Sequence, residues 1–137
     1  MKYFATVIVL TFVAVAVGQD VLKLSAEQKE KVHLLAGECA KETGASKEAI
    51  LALRQGDFSQ VDDKVKCFSK CFQERLGYLV NGVVNEEAVQ KSLGPLAGEE
   101  QVKAVQAKCN GVKGANDCET AFELYKCYYG EKATVLA

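Results

Sequence analysis

Six cysteines, spaced C-x27-C-x3-C-x37-C-x8-C-x8-C at Cys39, Cys67, Cys71, Cys109, Cys118 and Cys127, constrain this chain more than any other feature. An even count in a chain that opens with an export signal implies a disulfide framework rather than free thiols. A zinc site would call for close pairs such as C-x-x-C together with histidines, and the sequence has no such pair and a single His. Geometry removes two of the possible bonds. Cys67 and Cys71 are i,i+4 on a helical pattern, with Cβ atoms about 5–6 Å apart where a disulfide needs about 3.5–4.5 Å. Cys118 and Cys127 lie nine residues apart on another, about 13.5 Å along its axis. Of the 15 ways of pairing six cysteines, about 10 remain. Nine helical residues also turn through roughly 180°, so Cys118 and Cys127 must reach different neighbours.

The export signal is the opening stretch MKYFATVIVLTFVAVAVG: Lys2, an apolar run from Tyr3 to Val17, and small residues Ala16 and Gly18 at its end. The run falls short of the roughly 20 residues a bilayer core requires, and no later segment approaches that length. The expected division is residues 1–18 as signal peptide and 19–137 as one secreted, soluble domain of 119 residues, enough to bury a core. Losing Lys2 moves the formal charge from −1 to −2, and with no basic patch nothing points to nucleic acid.

One proline in the whole chain, with Ala, Leu, Lys, Glu and Gln abundant, favours helix. Capping residues mark the starts. Ser25 with Gln28 forms a capping-box pattern, Ser46 precedes KEAILALRQ, Asp62 or Asp63 precedes KVKCFSKCF, Asn85 precedes EEAVQKSL, and Asn116 or Asp117 precedes the last helix. Glycines punctuate between them. The expectation is all-α, with six helices near 25–43, 46–55, 63–76, 86–93, 97–110 and 117–129. Val65, Phe68, Phe72, Leu76 and Leu79 make one stripe of the third helical segment, with Cys67 and Cys71 on its flank. Val102, Val105 and Cys109 make the stripe of the fifth. The last helix carries two: Cys118, Phe122, Tyr125 and Tyr129 on one side, Ala121, Leu124 and Tyr128 beside it. A helix apolar over more than half its circumference is central, either touching two neighbours or facing core on one side and a cavity on the other.

The cysteine spacing, with C-x3-C at Cys67/Cys71 and the final C-x8-C at Cys118/Cys127, resembles that of the six-cysteine insect odorant-binding proteins over essentially the whole mature chain. LSAEQKEKV at the first helix, RQGDF at 54–58, VKCFSKCF and KCYYG are similar pieces. The resemblance implies the pairing Cys39–Cys71, Cys67–Cys118 and Cys109–Cys127, which survives both geometric exclusions. It also implies six helices around an apolar pocket for odorants, pheromones or fatty acids. No cofactor is expected, and no stable membrane insertion. The partners it implies are a small hydrophobic ligand and transient contact with a receptor, for a chain that is a monomer or weak dimer. Three cross-links, each contributing about 3–4 kcal/mol through the denatured state, can offset a hollow interior.

Matched by position relative to the cysteines, the family's pocket wall falls on Leu76, Tyr78, Val84, Val89, Leu93, Leu96, Val105, Phe122 and Tyr128, with Leu136 of the tail EKATVLA as a cover. Each would serve equally well as ordinary core. Tyrosine suits a pocket wall because its ring adds apolar surface while its hydroxyl bonds a ligand's alcohol or carbonyl. His33, at the edge of the first helix's packed face, has no nucleophile to pair with, so no hydrolytic triad is expected. Glu86/Glu87 and Glu99/Glu100 sit where helix dipoles favour carboxylates. Two rival readings stand beside the carrier. A secreted helical signalling protein would need no cavity, and a small lipid hydrolase would need a His–Asp pair and a calcium loop for which the residues are lacking. Olfactory transport and fatty-acid solubilisation in another body fluid are equally compatible with the residues.

Overall fold

The computed structural model describes residues 25–131, so the expected signal peptide and the tail with Leu136 lie outside it. Its six helices are α1 (Ala26–Thr43), α2 (Lys47–Arg54), α3 (Asp63–Arg75), α4 (Glu86–Ala97), α5 (Glu99–Cys109) and α6 (Asp117–Gly130). A two-residue hairpin, β1 (Leu79–Val80) and β2 (Val83–Val84), precedes α4.

The starts are set by side chains that satisfy otherwise orphaned amides. Ser25 Oγ accepts from Gln28 N at 3.2 Å while Gln28 Oε1 accepts from Ser25 N at 3.0 Å, completing the capping box. Ser46 caps α2, Asp62 rather than Asp63 caps α3, Asn85 caps α4, and Asn116 rather than Asp117 caps α6. Only α5 lacks a side-chain cap, since Gly98 joins it directly to α4.

Two local features depart from the sequence reading. Leu79 is not on the third helical stripe: α3 stops at Arg75, and Leu79 reaches the core from β1 instead. Asn81 and Gly82 both take positive φ, 53° and 80°, the conformation of a tight two-residue turn whose twist matches paired strands. The β-branched pair on the far side, Val83–Val84, then closes the hairpin, with Leu79 opposite Val84. The second departure is that α4 runs through Gly94–Pro95 to Ala97 instead of ending at Leu93. Proline normally disfavours helix at the residue before it through a clash with that residue's Cβ, and Gly94 has none. A Cβ at Gly94 would lie 2.9 Å from Oε1 of Gln90 on the same helix, while the nearest atom of α5, Glu99 Cγ, would be at an ordinary contact distance of 3.5 Å.

Packing runs through α3 and α6, which form the most extensive helix pair, with α1 against α3 and α4 paired with α5. The disulfides follow the same route. Cys39–Cys71 ties α1 to α3, Cys67–Cys118 ties α3 to α6, and Cys109–Cys127 ties α5 to α6, with Cα separations of 5.7, 4.4 and 5.7 Å. This is the pairing the family resemblance implies, and all six cysteines are consumed by it. Cys39 and Cys71 have the Glu42 carboxylate beside them, but as a disulfide they offer no thiolate to a metal ion.

Candidate ligand-binding site

The two stripes of α6 serve two different apolar clusters. On one side Phe122, Tyr125 and Tyr129 meet α1, α2 and α3 in a core that holds Leu53, Val65, Phe68 and Phe72. Phe58 stands edge-on to all three rings at 5.8, 6.5 and 6.0 Å, and the Tyr125 hydroxyl donates to the Leu53 carbonyl at 3.1 Å. The RQGDF segment is built around this contact. Gly56 takes φ 81°, and a Cβ there would sit 2.6 Å from the Tyr129 ring. Phe122 therefore belongs to this aromatic core, against which Leu76 also packs, while the other expected wall residues among those described lie outside it.

On the other side of α6 the second stripe packs toward the hairpin, α4 and α5. Buried Val89 and Leu93 of α4 meet Val102 of α5, with Leu76, Tyr78, Val84, Ala97 and Tyr128 around them. Six of the expected wall residues thus gather in one cluster: Leu76, Tyr78, Val84, Val89, Leu93 and Tyr128. Val105 packs with Cys109, Cys127 and Tyr128, so it touches the same tyrosine from the α5 side. Leu79, Ala121 and Leu124 form a third group that again includes Val84 and Tyr128. Tyr128 is the residue the three groups share. Leu96, half-buried near the end of α4, packs against none of these groups, and Leu136 is beyond the described residues.

The two phenols have their hydroxyls engaged at the margin of the cluster. Tyr128 donates to Asn110 Oδ1 at 2.7 Å, and the Asn110 amide donates onward to Glu86 Oε2 at 3.0 Å. Gln106 donates to the Glu86 carbonyl at 3.1 Å, so the start of α4 is held to the end of α5 through the same carboxylate residue. Burial, reinforced by the Glu86 charge, pushes the Tyr128 phenol up to about 12. Burial also raises the Tyr78 phenol, against a hydrogen bond with Ser92. Both rings thus present neutral, apolar faces throughout the physiological range.

The sequence reading missed Val102 and Asn110 as members of this site. Val102 was legible on the α5 stripe, whereas Asn110 joins only because the fold brings it to a residue 18 positions away. His33 lies exposed on α1, apart from this cluster.

Residues 22–131 match the model of the PBP/GOBP family. General odorant-binding protein 56a of Drosophila melanogaster is 39% identical over 127 residues, covering 93% of this chain and 91% of that protein. Odorant-binding protein 10 of Aedes aegypti is 32% identical over 117 residues, covering 82% and 83%. Among solved structures, the fatty acid binding protein OBP56a from the oral disk of the blowfly Phormia regina superposes with a TM-score of 0.72 at 41% identity, covering 81% of this chain and 96% of that one.

Proposed function

The chain belongs to the PBP/GOBP family of insect odorant-binding proteins, and from that premise we propose that it is a secreted carrier that holds one small hydrophobic ligand between α4, α5, α6 and the hairpin. The observation that carries this reading is the convergence of Leu76, Tyr78, Val84, Val89, Leu93 and Tyr128 on one apolar cluster that has two phenol hydroxyls at its edge. Such a wall selects an aliphatic body and tolerates one polar end, since a ligand's hydroxyl or carbonyl can meet a phenol while any further buried polar group would go unpaired. Odorants, pheromones and fatty acids all fit that description. The blowfly relative is described as a fatty acid binding protein, which makes long-chain acids the first ligands to try. The reading supposes release through the leader at residues 1–18 and needs no catalytic turnover. No helix among the described residues is long and apolar enough to cross a membrane.

Displacement of an apolar fluorophore tests the proposal. The dye should bind stoichiometrically and leave on addition of long-chain alcohols or acids. Tyr128→Ala should weaken binding of every ligand through lost packing, whereas Tyr128→Phe should weaken only ligands with a hydrogen-bonding head. Failure of the dye to bind, or equal effects of Tyr128→Phe on a hydrocarbon and its alcohol, would overturn the carrier reading or the head-group role respectively.

A further inference from the structure

Outside the cluster just described, α1 and α2 meet only sparsely and leave an open groove of about 340 Å³ between them. Small residues of α1, Gly37 and Ala40, make its floor, and Ile50 and Leu51 of α2 its apolar wall. Leu51 is 40% exposed although large and apolar. Lys47, Ile50, Leu51 and Arg54 recur at helical spacing, so the groove face of α2 carries a cation at each end, about 10 Å apart along the axis, with apolar surface between. Neither Lys47 nor Arg54 forms an ion pair among the described residues. No carboxylate lines the groove among the described residues, and Glu38 and Glu42 of α1 pair with Arg75 of α3. A hydrophobic trough with unneutralised cations at its ends complements an anionic amphiphile.

We propose that this groove is a second, external binding site for one long-chain carboxylate, lying along α2 with its head on Arg54. Arg54 is the better seat of the two cations because it is half-buried and its planar fork matches a carboxylate with two parallel hydrogen bonds. The aliphatic chain covers Leu51 and Ile50 and fills the space above Gly37, where a Cβ would meet nothing within 4 Å. This site shares no residue with the internal cluster and stands independently of the carrier reading.

Sodium dodecanoate, titrated below its micelle concentration into the full mature protein while backbone amide resonances are followed, tests the assignment. Saturable shifts at Gly37, Ala40 and Ile50 are expected, and they should persist in Tyr128→Ala, which alters only the internal site. Arg54→Glu should weaken these shifts roughly tenfold in dodecanoate concentration, and Arg54→Lys by less. Dodecanol should leave the groove resonances largely unmoved. Gly37→Leu should abolish the groove shifts by filling the floor; it replaces a mid-helix glycine by a better helix former over open space, so its fold can be checked by an unchanged helical circular dichroism. Shifts confined to α4, α5 and α6, equal response to the alcohol, or undiminished groove shifts in folded Gly37→Leu would each overturn the proposal. So would binding to phosphatidylglycerol vesicles without any response to monomeric dodecanoate, which would make the face a lipid-surface contact instead.

Discussion

Tyr128 concentrates the physics of the site in one residue, because its ring belongs to three apolar groups while its hydroxyl is tied to Asn110 and, through it, to Glu86. With the folded phenol at about 12 against an ordinary 10.0, the folded state keeps a proton that the unfolded chain releases. The stabilisation attached to that proton is complete below pH 10.0 and is lost as pH rises toward 12, since the unfolded state then binds fewer protons than the folded one. Tyr128→Phe should therefore cost about 1 kcal/mol at neutral pH through the lost hydrogen bond. The same variant should show a shallower alkaline decline than the parent protein. Urea midpoints measured across that range check both statements; parallel curves for the two proteins would mean that Tyr128 is not the group titrating there. Tyr78 shifts in the same direction, so part of the decline should survive the substitution.

At the scale of the element, the short loop between α2 and α3 does what a helix could not. Gly56 turns the chain with a positive φ and leaves room for the Tyr129 ring, and Phe58 then enters the aromatic group edge-on to α6. Gly56→Ala combines a left-handed backbone penalty with an overpacked contact, and should destabilise the fold by about 2–4 kcal/mol in denaturant titrations. The atoms the added Cβ would meet are the far end of the Tyr129 ring, so the cost depends on how far that ring can move. A cost below about 1 kcal/mol would show that the ring swings aside readily. The stripes of α3 as far as Leu76, of α5 and of α6 were legible in advance because helical periodicity alone decides which residues share a face. The hairpin was not read from LVNGVV, although Asn-Gly between β-branched residues is its local signature.

Across the whole molecule the disulfides differ in what they hold. Cys67–Cys118 spans 51 residues and joins α3 to α6, helices that also pack most extensively, so its removal chiefly relaxes the denatured chain, at about 4 kcal/mol. Cys109–Cys127 spans only 18 residues, about 3 kcal/mol on the same basis, but it fastens the α4–α5 pair to α6, where packing is thinner. Paired Cys→Ser replacement at 109 and 127 should thus cost less stability than at 67 and 118, yet raise ligand dissociation constants and amide exchange in α4 and α5 more. Calorimetry with hydrogen exchange on both double variants decides the point; the opposite ranking of ligand affinities would place the binding wall elsewhere.

By itself the sequence determined the helical class, the helix starts, the two apolar faces of α6 and the impossibility of bonding Cys67 to Cys71 or Cys118 to Cys127. All of these depend on interactions between residues within a few turns of one another, where spacing is geometry. The tertiary structure alone decided which apolar stripes meet. It sent Phe122 to the aromatic core and left Leu96 outside the clusters, and it brought Asn110 and Glu86 to the hydroxyl of Tyr128. It also opened α2 from α1 so that Lys47 and Arg54 flank an unfilled trough. Residues far apart in the chain are brought together by the directions in which helices leave their loops, and hydrophobic periodicity, being blind to direction, carries no record of them.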